Sequence, residues 1–501
     1  MAEFSKAANA YENCLEIISA IPFPDPNEKK RETAHLHLQI ARSLRGIDPS
    51  NLYKNARSAM DIFREIGDDR QFIESAEIFV QYNTNEIQTI YREVESIKDS
   101  DETFEARFNF LLSYTAVAQL QGDINEAKRV SSILMKLAEE NRDKVNNFSN
   151  KSLIFWAAIV RLSINDIKSE ADIKSLIQGY QDIIKSLSNP LTEKNVNLRM
   201  LKSVVCDFLA NNYFFAMMDF TKAKDTFDIA IEDSENQGSH NYTSLLKLES
   251  TYFYSVFAKG FEEAKQELNN IPRKDLMSIM GTSVDHHFNA FKNGVLSWYY
   301  LANGDSGEFL KCLANIAQLE GMQYRFLHII PELLYNLDTE AYDNFSRALE
   351  RAEMLYRDKP ITSETLLPRA LIYSTSAEAL ARNGKLDEAR KRHDLLGEMA
   401  SSLNQKWLAA LHYRAGAVID MQEEKFNEAE DKLTSSIDIW NELGFRFFAG
   451  RDLLLLATVY HGTGNLNKSD ESLNKAMELF THLGAKIYAQ KVLARKELLK
   501  A

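Results

Sequence analysis

From Leu380 to Gly484 the order of apolar and polar residues returns at a fixed step of 40 residues. Each copy reads as an apolar helix, a short polar turn, an amphipathic helix and a capped end. The first turn is Ala381-Arg382-Asn383-Gly384-Lys385-Leu386-Asp387-Glu388-Ala389; the second spans Met421 to Ala429 and the third His461 to Ser469. Ala389, Ala429 and Ser469 share one position, with Leu386, Phe426 and Leu466 three residues earlier. The helices that follow end at Leu403-Asn404, Leu443-Gly444 and Leu483-Gly484. Gly or Asn after a helix takes the left-handed conformation that caps it. A period of this size made of paired helices predicts an all-α solenoid.

Weaker copies extend the pattern over nearly the whole chain. They include Phe4-Ser5-Lys6-Ala7, Tyr53-Lys54-Asn55-Ala56, Phe220-Thr221-Lys222-Ala223 and Phe261-Glu262-Glu263-Ala264, while the turn from Leu120 to Ala127 is among the clearest of all. The turn Asn303 to Glu308 keeps the signature but puts Phe309 in the small position, which predicts different packing there. Residues 70–98 and 151–188 read as helix pairs with eroded turns, and Pro331 predicts a kink. The total is about twelve second helices, hence roughly eleven repeats and a terminal helix, Lys486 to Lys500. The first unit lacks its first helix: either residues 3–20 cap the solenoid or upstream residues are missing. The polar stretch Ser186 to Asn197, with Pro190, predicts a discontinuity between residues 1–188 and 198–501 of one continuous solenoid.

A turn of type Gly-polar-apolar-x-x-Ala between two helices resembles the tetratricopeptide repeat. Ala377, Ala417 and Ala457 before the turns, and Leu433 and Leu473 after them, fit that family; His393 departs from it. Small residues are needed because antiparallel helices roughly 8–10 Å apart cannot both carry large side chains where they cross. The 40-residue step is similar to the long-helix repeats in the C-terminal arms of maltose-type and LuxR-type bacterial regulators, as is the ending Phe480-Thr481-His482-Leu483-Gly484-Ala485-Lys486. The resemblance implies a right-handed α-α superhelix of antiparallel helix pairs. It also implies a non-enzymatic scaffold that binds a peptide or protein segment in the concave groove lined by first helices. The alternative is the sensing arm of a regulator, with a small effector or inhibitor protein in the groove.

Composition narrows the partners. Apolar residues at 45% and charged ones at 26% suit a folded chain, and a net charge of −13 argues against a nucleic-acid binder. Cys14, Cys206 and Cys312 form no CxxC pair and read as small core residues in a reducing, cytoplasmic compartment. No apolar run approaches the roughly 18 residues of a membrane span. The string Gly462 to Ser469 mimics a phosphate loop, but Asn467 stands where a glycine is required before Lys468-Ser469. In Asp285-His286-His287 the adjacent imidazoles diverge on a helix, so they predict no metal site. No catalytic fingerprint occurs, and neither an enzyme nor a cofactor is expected.

The candidate binding residues come from the first helices. Residues 208–300 carry a dense aromatic load: Phe208, Tyr213, Phe214, Phe215, then Tyr252, Phe253, Tyr254, Phe257, then Phe291, Trp298, Tyr299, Tyr300. Helical spacing cannot bury all of them, so at least one ring is expected in the groove; Phe253, Phe291, Trp298 and Tyr299 are the candidate anchors, with the core as the alternative place for each. The family's groove-facing places on later first helices hold Glu378, Arg382, Arg414, Arg451 and His461. The basic clamp that some members use for a peptide carboxylate is not reproduced, since the turn-proximal places hold Arg382, Gln422 and Gly462.

Overall fold

The computed structural model describes residues 2–44, 48–82, 86–98, 100–120, 123–141, 158–159, 161–188, 196–238, 240–272, 284–319, 325–357 and 359–500. Every regular element among them is helical, and the class is all-α, an α-α superhelical stacking of antiparallel pairs. Two compact units divide between Ile164 and Asn165, ahead of the polar stretch 186–197. Unit 1 takes residues 1–164 with 274–287, and unit 2 takes 165–273 with 288–501. Turn residues Gly122 and 83–85 and the side chains of Asp285, His286 and His287 lie outside the described residues.

Unit 1 contains α1 (Ala2–Ala20), α2 (Pro26–Ser43), α3 (Pro49–Ile66), α4 (Asp69–Tyr82), α5 (Ile87–Ser96), α6 (Phe104–Leu120) and α7 (Ile124–Glu140). Unit 2 begins with α8 (Glu170–Leu187). Then come α9 (Val196–Asn212, extended by a π-helical turn Tyr213–Met217), α10 (Phe220–Asn236), α11 (His240–Ser250, extended by the π-helix Thr251–Lys259) and α12 (Phe261–Asn270). α13 (Val284–Asn303, in unit 2 from Phe288 on), α14 (Ser306–Ala317), α15 (Arg325–Asp338), α16 (Tyr342–Tyr356), α17 (Ser363–Arg382) and α18 (Leu386–Leu403) follow. The chain ends with α19 (Lys406–Gln422), α20 (Phe426–Leu443), α21 (Arg446–Gly462), α22 (Leu466–His482) and α23 (Lys486–Lys500). α15 runs unbroken through Pro331.

The repeat signature acts through backbone conformation. Gly384, Glu424 and Gly464, 40 residues apart, all sit at positive φ (74°, 59° and 76°). So do the caps Asn404, Gly444 and Gly484 (49°, 77° and 69°). Of these three turn residues only Glu424 carries a side chain, which costs on the order of 1 kcal/mol. Glu424→Gly is therefore expected to raise stability by up to about 1 kcal/mol, read by thermal melting; an unchanged or lowered melting point would contradict the strain. At the crossings Ala377, Ala417, Ala457, Ala389, Ala429 and Ser469 have no exposed surface. Ser469 keeps its hydroxyl satisfied by donating to the Ala457 carbonyl at 2.8 Å. Phe309, in the small position, is also fully buried and packs against Tyr335.

Unit 2 closes on itself. The Phe261 amide donates to the Leu483 carbonyl at 2.9 Å, and Trp407 Nε1 donates to the Ala216 carbonyl at 3.1 Å. Phe220 and Phe257 lie 4.5 and 5.5 Å from Phe445, centroid to centroid, and Phe261 lies 5.5 Å from Phe447. Gly260 permits the approach. Its φ of 147° and ψ of 165° are open essentially to glycine alone, and a Cβ there would lie 3.1 Å from the Leu483 backbone. Gly260→Ala is expected to cost about 1–3 kcal/mol, measured by denaturant unfolding. A change within error would mean that the 260 and 483 segments do not touch.

Candidate functional site

The first helices of unit 2 turn their rings inward onto one another. Phe214, Phe253, Phe291 and Phe326 form a run of edge, tilted and stacked contacts with centroids 4.7 to 6.4 Å apart. Trp298 packs between Phe257, Phe261 and Phe447, and its Nε1 donates to the Tyr252 hydroxyl at 3.4 Å. A void of about 20 Å³ is all that remains between Phe214, Trp298, Phe326, Leu371, Leu411 and Trp440. Phe253, Phe291 and Trp298, expected as groove anchors, are thus core residues, with 1%, 5% and 1% of their surface exposed. The reason is that rings of the neighbouring helices α9, α11 and α15 cover Phe253 and Phe291, and Phe447 of α21 covers Trp298. Tyr299 stays half-buried at the surface beside Lys265, whose Nζ lies 3.9 Å from its ring centre.

The charged candidates are brought together, but mostly inside. Arg414 donates from Nε and Nη2 to Glu378 at 3.0 and 3.1 Å and from Nη1 to Asp452. Ser436 Oγ and Trp440 Nε1 donate to the other Asp452 oxygen at 2.6 and 3.1 Å. Arg382 donates to Glu378 at 2.5 Å, and Arg451 to Asp338 at 2.9 Å. Asp338 also accepts from the Tyr488 hydroxyl on its carboxylate and from Lys491 Nζ on its carbonyl. Burial opposes ionisation of Glu378, yet Arg414, Arg382 and Arg451 outweigh it and hold the carboxyl below the usual range. Burial likewise opposes a charge on Asp338, and Arg451 and Lys491 outweigh it. Glu378, Arg414 and Arg451 are therefore buried ties between first helices, not groove-facing groups as expected; sequence spacing gave no sign that their partners would be one another. Arg382 keeps part of its surface, and His461, beside the third turn, is exposed.

The first helices of unit 1 carry an analogous charge ladder that is open to solvent. Arg42 of α2 reaches Glu74 of α4 at 2.8 Å, and Arg70 reaches the same carboxylate at 3.1 Å. Side-chain exposures of 40%, 21% and 54% contrast with 4%, 2% and 0% for Arg414, Glu378 and Asp452. These residues, with Glu77, Glu105, Ala106 and Asn109, line a depression of about 240 Å³ shared by three successive first helices, α2, α4 and α6. Sequence reading passed over this face because it carries no rings. A second depression, of about 540 Å³, lies in unit 2 between residues 166–168, 359–361 and α18. Its charges are mixed, with Lys168 against Asp166 at 3.6 Å.

No family model and no curated protein matches the sequence. Among solved structures, the crystal structure of the APC/C hetero-tetramer Cut9-Hcn1 aligns with a TM-score of 0.46 and 13% identity over 99% of this chain and 88% of that one. A monomeric mutant of IFIT1 with Gppp-AAAA aligns with a TM-score of 0.36 and 11% identity over 95% of each. Neither likeness gives this chain a family. No described helix is long and apolar enough to cross a membrane, and no group of three or more His, Cys, Asp or Glu among the described residues is placed to hold a metal ion.

Proposed function

We propose that this chain is a non-enzymatic interaction scaffold that binds a peptide or protein segment on the first-helix face of unit 1. One observation carries the reading. The charged ladder of unit 1 faces solvent across three consecutive first helices, whereas in unit 2 the corresponding face is filled by the chain's own rings. A preformed surface of parallel helices binds without an ordering cost, and its charges select the partner. Glu105 is exposed at the start of α6, and Arg42 and Arg70 converge on Glu74, so the face offers both signs of charge at fixed spacing. Tyr299, Arg382 and His461 are the sequence-selected residues that retain surface for a secondary contact.

The test uses a photo-crosslinking side chain at Asn109 and, as a control, at exposed Met354 of α16. A partner should crosslink through position 109 and not through 354. Glu105→Arg should weaken capture of that partner about tenfold, roughly 1.4 kcal/mol, with the melting temperature unchanged. Crosslinking only from 354, or capture indifferent to Glu105→Arg, would remove this face from the account.

A further inference from the structure

His393 breaks the repeat, since its counterparts are Leu433 and Leu473. Its ring stacks on His412, with centroids 3.9 Å apart and planes 17° from parallel. Each ring also rests on a glycine of the opposite helix. A Cβ at Gly416 would lie 2.8 Å from His393 Nε2, and one at Gly397 would lie 2.8 Å from His412 Cε1. α18 and α19 thus cross through two interlocked imidazole–glycine contacts that leave the rings little room to swing aside. His393 Nε2 and His412 Nδ1 are buried with no hydrogen-bond partner. The charged groups facing the pair are Asp394 of α18 and Lys432 of α20, the latter held by Asp420 of α19 at 2.5 Å. Near-parallel stacked rings hold their in-plane lone pairs in two separate planes, so the pair does not converge on one metal ion.

We propose that this stack is an acid-sensitive joint, closing α18 on α19 while both rings are neutral and loosening the crossing when one is protonated. A proton on either buried nitrogen would create a charged donor without an acceptor, against a second ring and next to a lysine. Burial lowers the proton affinity of both imidazoles, and His412 and Lys432 lower that of His393 further, to about 4. An unfolded histidine titrates near 6.5, so below that pH the unfolded chain binds protons that the closed joint refuses. The joint's contribution is full above about pH 6.5 and is lost as pH falls towards 4. α19 also carries Trp407 and Leu411 to the interior of unit 2, so loosening at His412 reaches the wall of the aromatic core.

Amide hydrogen exchange of the full chain at about pH 7.5 and about pH 5, corrected for intrinsic rates, reads the joint directly. Protection across residues 386–422 should fall at least about tenfold more than across 426–462 on acidification. In His393→Leu, which places the side chain of the neighbouring repeats at this position, that difference should vanish. Equal loss in both segments of the unaltered chain, or the same selective loss in His393→Leu, would overturn the proposal. Should His393→Leu not fold, deuterium uptake at the His393 ring carbon in the unaltered chain decides. A titration midpoint well below 6.5 supports the joint, and one at the ordinary value overturns it.

Discussion

Arg414→Ala is expected to destabilise unit 2 by about 3–5 kcal/mol, the usual cost of stripping one partner from a buried ion pair. Among the described residues Arg414 is the one cation in an ion pair with Asp452 and one of two paired with Glu378; the two carboxylate side chains are 0% and 2% exposed. Removing it leaves two carboxylates in a low-dielectric interior, with Arg382 for one and only neutral donors for the other. The loss should be smaller in Arg414→Leu combined with Glu378→Gln and Asp452→Asn, because no charge then remains uncompensated. Denaturant unfolding of the two variants separates the charge effect from lost packing. Equal losses in both would mean that Arg414 acts through its aliphatic stem alone.

Trp298→Ala is expected to cost about 3–5 kcal/mol, as for other large rings deleted from a packed interior. Three rings contact the indole and the Tyr252 hydroxyl loses its donor. Tyr299→Ala, one residue along the same helix but partly exposed, should change stability by no more than about 0.5 kcal/mol. Thermal melting of the pair checks the contrast. A stable Trp298→Ala protein would restore the open groove that aromatic density alone suggested.

The turns and caps were legible because their chemistry is local. Gly384, Gly464, Asn404 and Gly484 each mark a left-handed backbone position, and the 40-residue step fixed the helix pairs around them. The interior of unit 2 was not legible, because closure depends on small rotations between repeats accumulated over some two hundred residues of chain, from Phe220 to Phe445. A signal did exist. Leu367, Trp407 and Phe447 also recur at the 40-residue step: Leu367 lines the void, Trp407 donates to the Ala216 carbonyl and Phe447 packs on Trp298. Arg451 follows Leu371 and Leu411 in the same way, a cation in an apolar place, and finds Asp338 through the turn of the superhelix. The solvent-facing ladder of unit 1 was hidden for a different reason: exposed Arg–Glu pairs on helices are the ordinary dress of any surface.

Exchange of the Phe261 amide tests the closure of unit 2 most directly. Phe261 is the first residue of α12, and an N–H at that place has no acceptor within its own helix. Only the Leu483 carbonyl, more than two hundred residues along the chain, satisfies it. If the first helices of unit 2 enclose a filled core, this amide should exchange as slowly as those of the buried helices around it. Exchange at the rate of an unprotected helix end would mean that residues 260 and 483 stand apart and that the interior of unit 2 is an open groove.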